Sequence, residues 1–341
     1  MDSIKLHLKM MFNLPPGFLT SFLSSQLRPL PAPSGDFTGK TVIVTGANVG
    51  LGREAARHFV RLGASKVILA CRNTEKAEAA KDDIVFSAPG SVGRVEVWPV
   101  DLGSFESVRQ FCKRANDTLE RLDVVVENAA VAIGTFTLQE GYETTITTNV
   151  ISTFLMAFML LPKMRETAVR YNTNPHLSFV GSDAHYFARF AERSEPNVFE
   201  SFKHEKGMSE DRYNTSKLLV IMLALELAIQ QRQKQQQVVI NALNPGFCRS
   251  DLFRHAPFPL NILIWLGLWI LGRTAEMGSR TLVHAASTGP EMHGKYLDSC
   301  KPWDPSPYVL SEEGKQMQKK LYAELKEILE GIEPGVTAQS A

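Results

Sequence analysis

The chain has 341 residues, with 37 lysines and arginines against 36 aspartates and glutamates, a formal charge of +1. That balance removes the electrostatic case for a nucleic-acid partner, and a hydrophobic share of 44% excludes disorder throughout. Cys71, Cys112, Cys248 and Cys300 show no C-x-x-C spacing. A zinc knuckle, another metal site or a disulfide framework is therefore not expected, and reduced thiols in the cytoplasm fit best.

Residues 1–36 read as an N-terminal extension. Its charge-free run, Met10–Leu27, is broken by Pro15, Pro16 and Gly17, which argues against a membrane span or a signal peptide. The stretch Pro29–Gly35 has linker composition. From 37 to 305 the pattern changes to that of a single domain. Short apolar runs at Thr41–Thr45, Lys66–Ala70, Val95–Val100, Leu122–Val126, Leu177–Val180 and Val238–Leu243 predict strands, with Lys295–Leu297 as a weak last one. Longer segments at Glu54–Leu62, Thr74–Val85, Ser104–Leu119, Thr144–Met164 and Tyr213–Gln233 predict helices between them. This alternation implies βαβ units in a doubly wound parallel sheet, an α/β fold with helices on both faces. Residues 306–341 read as a C-terminal helix and tail.

The first strand runs into Thr45-Gly46-Ala47-Asn48-Val49-Gly50-Leu51-Gly52, which opens the first helix. Glycines there let the backbone turn tightly beside a pyrophosphate, and the helix N-terminus then faces that anion with free N–H groups. An ordinary strand–helix loop is the bland reading; the strand before and helix after favour a dinucleotide site. The second strand ends at Cys71-Arg72-Asn73, without the carboxylate that would accept the ribose hydroxyls of NAD. Arg72 suits a 2′-phosphate, and hence NADP(H), if it is not merely a solvated charge. Asp101 suits either the adenine amino group or the N-cap of the helix that follows.

Tyr213 and Lys217 stand at i and i+4, on one helical face. A fixed cation there is expected to lower the phenol pKa and create an acid–base for an alcohol oxygen, although such a pair also occurs by chance. Ser182 follows the fifth strand at its carboxyl end, as substrate ligand or turn serine. Asn149, inside an apolar helix, needs a partner: it kinks the helix around a water or caps a loop.

Together these pieces resemble the short-chain dehydrogenase/reductase family, closest to the branch with retinol dehydrogenases and light-dependent protochlorophyllide reductases. The motifs are TGANVGLG at 45–52, ACRN at 70–73, DL at 101–102, ENAA at 127–130, TTNV at 147–150, VGSDAH at 180–185, YNTSK at 213–217 and NPGFCRS at 244–250. The resemblance implies a Rossmann-type fold and four catalytic residues: Tyr213 as proton donor or acceptor, Lys217 on the nicotinamide ribose, Ser182 on the substrate oxygen, and Asn149 holding a water that links Lys217 to solvent. It implies a cofactor site of Gly46, Asn48, Gly50, Leu51 and Gly52 at the pyrophosphate. Arg72 would face the 2′-phosphate, Asp101 with Leu102 the adenine, Asn128 with Ala129 the ribose, and Pro245, Gly246 and Ser250 the nicotinamide. Two departures stand out: the usual N-N-A-G reads Glu127-Asn128-Ala129-Ala130, and Ser182 lies 31 positions before Tyr213, lengthened by an insertion at 185–211.

The implied reaction is NADP(H)-dependent hydride transfer between nicotinamide and a carbonyl or alcohol. Isomerisation, dehydration or C=C reduction on the same site, or a non-catalytic binding protein, are the alternatives. The apolar stretch 247–272 points to a lipophilic small-molecule substrate, such as a polyketide, terpenoid or retinoid. The resemblance extends equally to fungal reductases that tailor such compounds. Residues 257–272 fit buried core, a substrate lid or peripheral membrane contact. The apolar faces of Thr144–Met164 and Tyr213–Gln233 fit core burial or a homodimer or homotetramer interface.

Overall fold

The computed structural model describes residues 18–205, 211–233, 238–249 and 260–339. The described residues form ten strands, in chain order β1 (Thr41–Thr45), β2 (Lys66–Cys71), β3 (Val95–Pro99), β4 (Val124–Glu127), β5 (Leu138–Gln139), β6 (Tyr142–Glu143), β7 (His176–Val180), β8 (Val239–Asn244), β9 (Tyr296–Asp298) and β10 (Lys301–Trp303). The longer helices are α1 (Phe18–Leu27), α2 (Gly50–Arg61), α3 (Thr74–Ser87), α4 (Phe105–Thr118), α5 (Ser152–Tyr171), α6 (Arg212–Gln233), α7 (Leu260–Leu271), α8 (Ala275–Ala285) and α9 (Glu312–Ile332).

The main sheet has the order β10-β9-β8-β7-β4-β1-β2-β3, while β5 and β6 form a separate hairpin. Pairing is parallel from β3 to β9, and β10 alone joins antiparallel. The chain winds outward from β1 to β3, then returns to β4 on the other side of β1. This reversal opens a crevice beyond the carboxyl ends of β1 and β4, where α/β sheets bind ligands.

The strands are apolar on both faces because helices cover both. Ile43, Ile68, Val125, Phe179 and Ile240 pack into one core with α4, α5, α6 and α9. Their neighbours Val42, Val44, Val67, Leu69, Val124 and Val126 pack into the other with α2, α3 and α8. Caps fix the helix starts: Asn73 accepts from Lys76 N at 2.8 Å, and Ser104 from Ser107 N at 3.3 Å. A π-helical turn, Thr147–Ile151, leads directly into α5. Among the described residues one helical stretch, Thr144–Tyr171, is long and apolar enough to cross a membrane, yet its apolar window is 94% buried in the protein.

Two further pieces close onto this frame. Residues after α1 lie along α8: Leu30 is buried, and its carbonyl accepts from Arg280 Nη1 at 2.8 Å. The insertion contributes Phe190, Val198, Phe199 and Phe202 to the core, and Glu324 on α9 accepts from the N–H groups of Val198 and Phe199.

Candidate active site

The carboxyl ends of β1, β2, β4, β7 and β8 surround one cleft of about 1120 Å³. That exceeds the 300–1,000 Å³ typical of a drug-sized ligand, so the space suits a dinucleotide together with a substrate.

At the end of β1, Gly46 (φ +65°) and Gly50 (φ +57°) adopt left-handed backbone. A Cβ on Gly52 would lie 2.6 Å from the Gly46 carbonyl oxygen, so helix and turn touch only because it has none. A Cβ on Gly50 would meet nothing within 4 Å; it would project into open space at the cleft wall. Val49 at the N-cap offers no side-chain acceptor to the first-turn N–H groups of α2. Those donors stay available to an anion beside Asn48, Gly50 and Leu51, which line the cleft. These features fit a pyrophosphate.

Arg72 is exposed at the end of β2 and lines the cleft, joined there by Lys76 in the first turn of α3. Nothing in the sequence singles out Lys76, because Arg72 precedes the cap of α3 and the two share no helical face. Asp101 is not the N-cap of α4, because Ser104 takes that place. Its carboxylate instead accepts from Gly103 N at 2.9 Å, in a turn that leaves Asp101 and Leu102 on the cleft wall. Thr45 Oγ1 accepts from Asn128 N at 2.9 Å and Ala129 N at 3.0 Å, and Asn128 Nδ2 donates to the Thr45 carbonyl at 2.8 Å. This lattice ties the β4 loop to the glycine turn.

Glu127, the departure from the family pattern, lies beneath that lattice. It is buried, and burial pushes its carboxyl up to about 8. A folded-state pKa above the unfolded value means that folding takes up a proton. The stabilisation is complete below the unfolded pKa near 4.5 and fades as pH rises towards 8. Glu127→Gln removes this slope. Its stability relative to the parent, read from thermal melting, is expected to climb between pH 5 and 8 by about 1 kcal/mol per pH unit. Parallel melting curves at the two pH values would contradict the protonated assignment.

Ser182 caps the short turn Asp183–Phe187, accepting from Ala184 N at 3.1 Å. His185 fixes this corner: its Nδ1 lies 2.6 Å from the Ser182 carbonyl and its Nε2 accepts from Ser306 N at 2.9 Å. Burial pulls the imidazole down to about 4, so it is neutral with the proton on Nδ1. Asn244 at the end of β8 accepts from Asp183 N at 3.2 Å and Gly246 N at 3.1 Å, joining the two loops. Neither His185 nor Asn244 had a role in the sequence reading. Gly246 (φ +83°) follows Pro245 on the same wall, and Ser250 lies outside the described residues.

Tyr213 and Lys217 do share a face of α6, with Lys217 Nζ 5.9 Å from the phenol ring centre. The expected lowering of the phenol pKa is reversed here: burial raises it well above 10, and a hydrogen bond with Ser182 offsets part of this. Lys217 donates to the Val180 carbonyl at 2.7 Å, and burial pulls its ammonium down to about 8. A buried cation at that distance does not outweigh the removal of water from the phenol. Asn149 stands in the π-helical turn. Its Oδ1 accepts from Val131 N at 2.8 Å, and its Nδ2 donates to Val131 O at 2.9 Å and Ser216 Oγ at 3.0 Å. Both amide hydrogens are used, which leaves a lone pair on Oδ1 for a water.

The family model for short chain dehydrogenases matches residues 40–170. The short chain dehydrogenase/reductase dmxR8 of Cryptosporiopsis sp. is 43% identical over 323 residues, spanning 93% of this chain and 99% of that protein. The chain belongs to the short-chain dehydrogenase/reductase family. A structure of a putative uncharacterized Mycobacterium paratuberculosis protein aligns with TM-score 0.65 and 25% identity, covering 88% of this chain and 96% of that one. The Pseudomonas aeruginosa RhlG/NADP active-site complex aligns with TM-score 0.58 and 23% identity, covering 79% and 97%, which speaks for the fold. An oxidoreductase of this family thus carries Ser182, Tyr213 and Lys217 at one end of its nucleotide crevice. They lie beyond the part that the family model matches.

Proposed function

We propose that the protein transfers hydride between NADP(H) and a carbonyl or alcohol of a lipophilic small molecule, of the kind tailored in secondary metabolism. The observation that carries this reading is the convergence of Ser182, Tyr213 and Lys217 with the glycine turn in one continuous cleft. Gly46–Leu51 would hold the pyrophosphate, Arg72 and Lys76 the 2′-phosphate, Asp101 and Leu102 the adenine, Asn128 and Ala129 the ribose, and Pro245 with Gly246 the nicotinamide. The nicotinamide supplies or accepts the hydride.

The remaining steps belong to the chain. Ser182 and the protonated Tyr213 donate to the carbonyl oxygen, which raises the electrophilicity of its carbon. Tyr213 then gives up its proton to that oxygen as the alcohol forms. Lys217 stabilises the phenolate left behind, and Asn149 holds the Val131 loop and Ser216 beside it. Phe22, Val131, Ile133, Phe187 and Phe247 make much of the wall apolar, which supports a lipophilic substrate. Incubation with NADPH and a panel of saturated lipophilic aldehydes and ketones, which offer no C=C bond to reduce, tests the proposal. Loss of NADPH absorbance with a product two mass units heavier supports carbonyl reduction. Product of unchanged mass, or without NADPH consumption, would refute it.

Helix α7 bears on how such a substrate arrives. Leu266, Trp269 and Ile270 are exposed, Trp269 at 66%, which does not suit buried core. Trp269→Ala is therefore expected to shift the melting temperature by about 1 °C at most while reducing co-sedimentation with lipid vesicles. A loss of several degrees would return this helix to the core.

A further inference from the structure

The N-terminal segment is built into the wall of the cleft. Gln26, the penultimate residue of α1, is 5% exposed, and its side chain bonds to residues 221 and 245 positions away. Its Nε2 donates to the Phe247 carbonyl at 2.6 Å and the Leu271 carbonyl at 2.8 Å, and its Oε1 accepts from Phe247 N at 3.1 Å. The amide thus engages Phe247 in both directions, as a neighbouring strand would. Arg273, itself buried, reinforces the contact. Its Nη1 donates to the Pro245 carbonyl at 3.1 Å and its Nη2 to the Ser25 carbonyl at 2.6 Å. Between them lies Gly246, where a Cβ would stand 2.5 Å from Arg273 Nη1 and 3.0 Å from Gln26 Oε1. A side chain at 246 is excluded twice, by the positive φ of the turn and by the glutamine from α1 and the arginine after α7 that close on it.

Phe22 lies four residues before Gln26, on the same face of α1. It lines the cleft together with Pro245, Gly246 and Phe247. We propose that α1 is part of the substrate site, with Phe22 as a specificity-determining wall and Gln26 as the positioning residue that holds the Pro245–Phe247 turn. This rests on the proposed oxidoreductase function for its choice of substrate, and on the hydrogen bonds alone for the clamp. Alanine at 26 would leave Phe247 N–H without its acceptor and take one donor from each of the Phe247 and Leu271 carbonyls; the Phe247 carbonyl keeps the bond from Arg273 N at 2.9 Å, so the turn would be held by fewer bonds. Glutamate at 26 would keep the acceptor and aim a carboxylate at those same two carbonyls.

The test uses the full chain with Phe22→Ala, Gln26→Ala and Gln26→Glu, and with Leu27→Ser at an exposed position on α1 as control. The probes are propanal and decanal with NADPH, and the readout is the ratio of kcat/KM for decanal to that for propanal. Phe22→Ala is expected to lower this ratio roughly tenfold, the scale of apolar discrimination in a pocket. Gln26→Ala and Gln26→Glu are expected to raise KM for decanal and to weaken NADPH several-fold, with kcat changed less and thermal melting within the range of the control. An unchanged ratio in Phe22→Ala would overturn the wall. Melting loss in the Gln26 variants with parental kinetic constants would reduce that residue to a structural brace. Calorimetric titration with decanol separates this inference from the proposed reaction. If the parent reduces neither aldehyde, the proposed function fails, yet Phe22→Ala must still bind decanol about tenfold more weakly; equal affinity would overturn the wall.

Discussion

Tyr213→Phe is expected to lower the rate of carbonyl reduction by ~10²–10⁴-fold, the contribution of a positioned acid–base group. The ring keeps its packing, so NADPH affinity measured by fluorescence titration should stay within about twofold and the protein should melt as before. Burial holds the phenol protonated, and this fixes the pH behaviour. Reduction, which consumes the phenol proton, should vary little across neutral pH. Alcohol oxidation needs the phenolate and should accelerate as pH rises. Lys217, pulled down to about 8, is cationic on the acid side of that value, so its support for the phenolate fades above it. The two opposing trends predict an alkaline rise in oxidation that levels off. A Tyr213→Phe protein with a near-parental rate would move the proton transfer to another group.

Arg72→Ala is expected to weaken NADPH roughly tenfold while leaving NADH within about twofold. A charge-assisted pair with a phosphate is worth ~1.5–3 kcal/mol when desolvated, and the exposure of Arg72 puts the effect at the low end. Lys76 lines the same end of the cleft, so Lys76→Ala should act in the same direction, and the double variant should approach the NADH affinity. Equal losses for both cofactors in Arg72→Ala would remove the 2′-phosphate from this corner.

The local devices were legible in the sequence because their causes are local. Thr41–Thr45, Lys66–Ala70 and Thr74–Val85 coincide with β1, β2 and α3 to within two residues, since β-branched runs and a capping asparagine act over single turns. The glycine turn was readable for the same reason: positive φ at Gly46 and Gly50 leaves a mark in residue type. The hairpin of β5 and β6 and the edge strand β10 were missed. At two or three residues each, they have no period to detect.

What the sequence determined by itself is the alternating α/β order, the turn that suits a pyrophosphate, and the pairing of Tyr213 with Lys217 on one helical face. The tertiary structure decided everything that depends on residues far apart in the chain. It reversed the direction of the Tyr213 shift, because desolvation comes from the walls of the whole cleft and exceeds the field of one cation four residues away. It decided between the two roles open to Asp101, giving the helix cap to Ser104 and Asp101 to the cleft wall, and added Lys76 to the wall that Arg72 lines. It also brought Gln26 within hydrogen-bonding distance of Phe247, 221 positions away. A periodicity reports which face of an element is apolar. It carries no information on what distant segment supplies the missing hydrogen-bond partner or the surrounding dielectric, and these set the chemistry of the site.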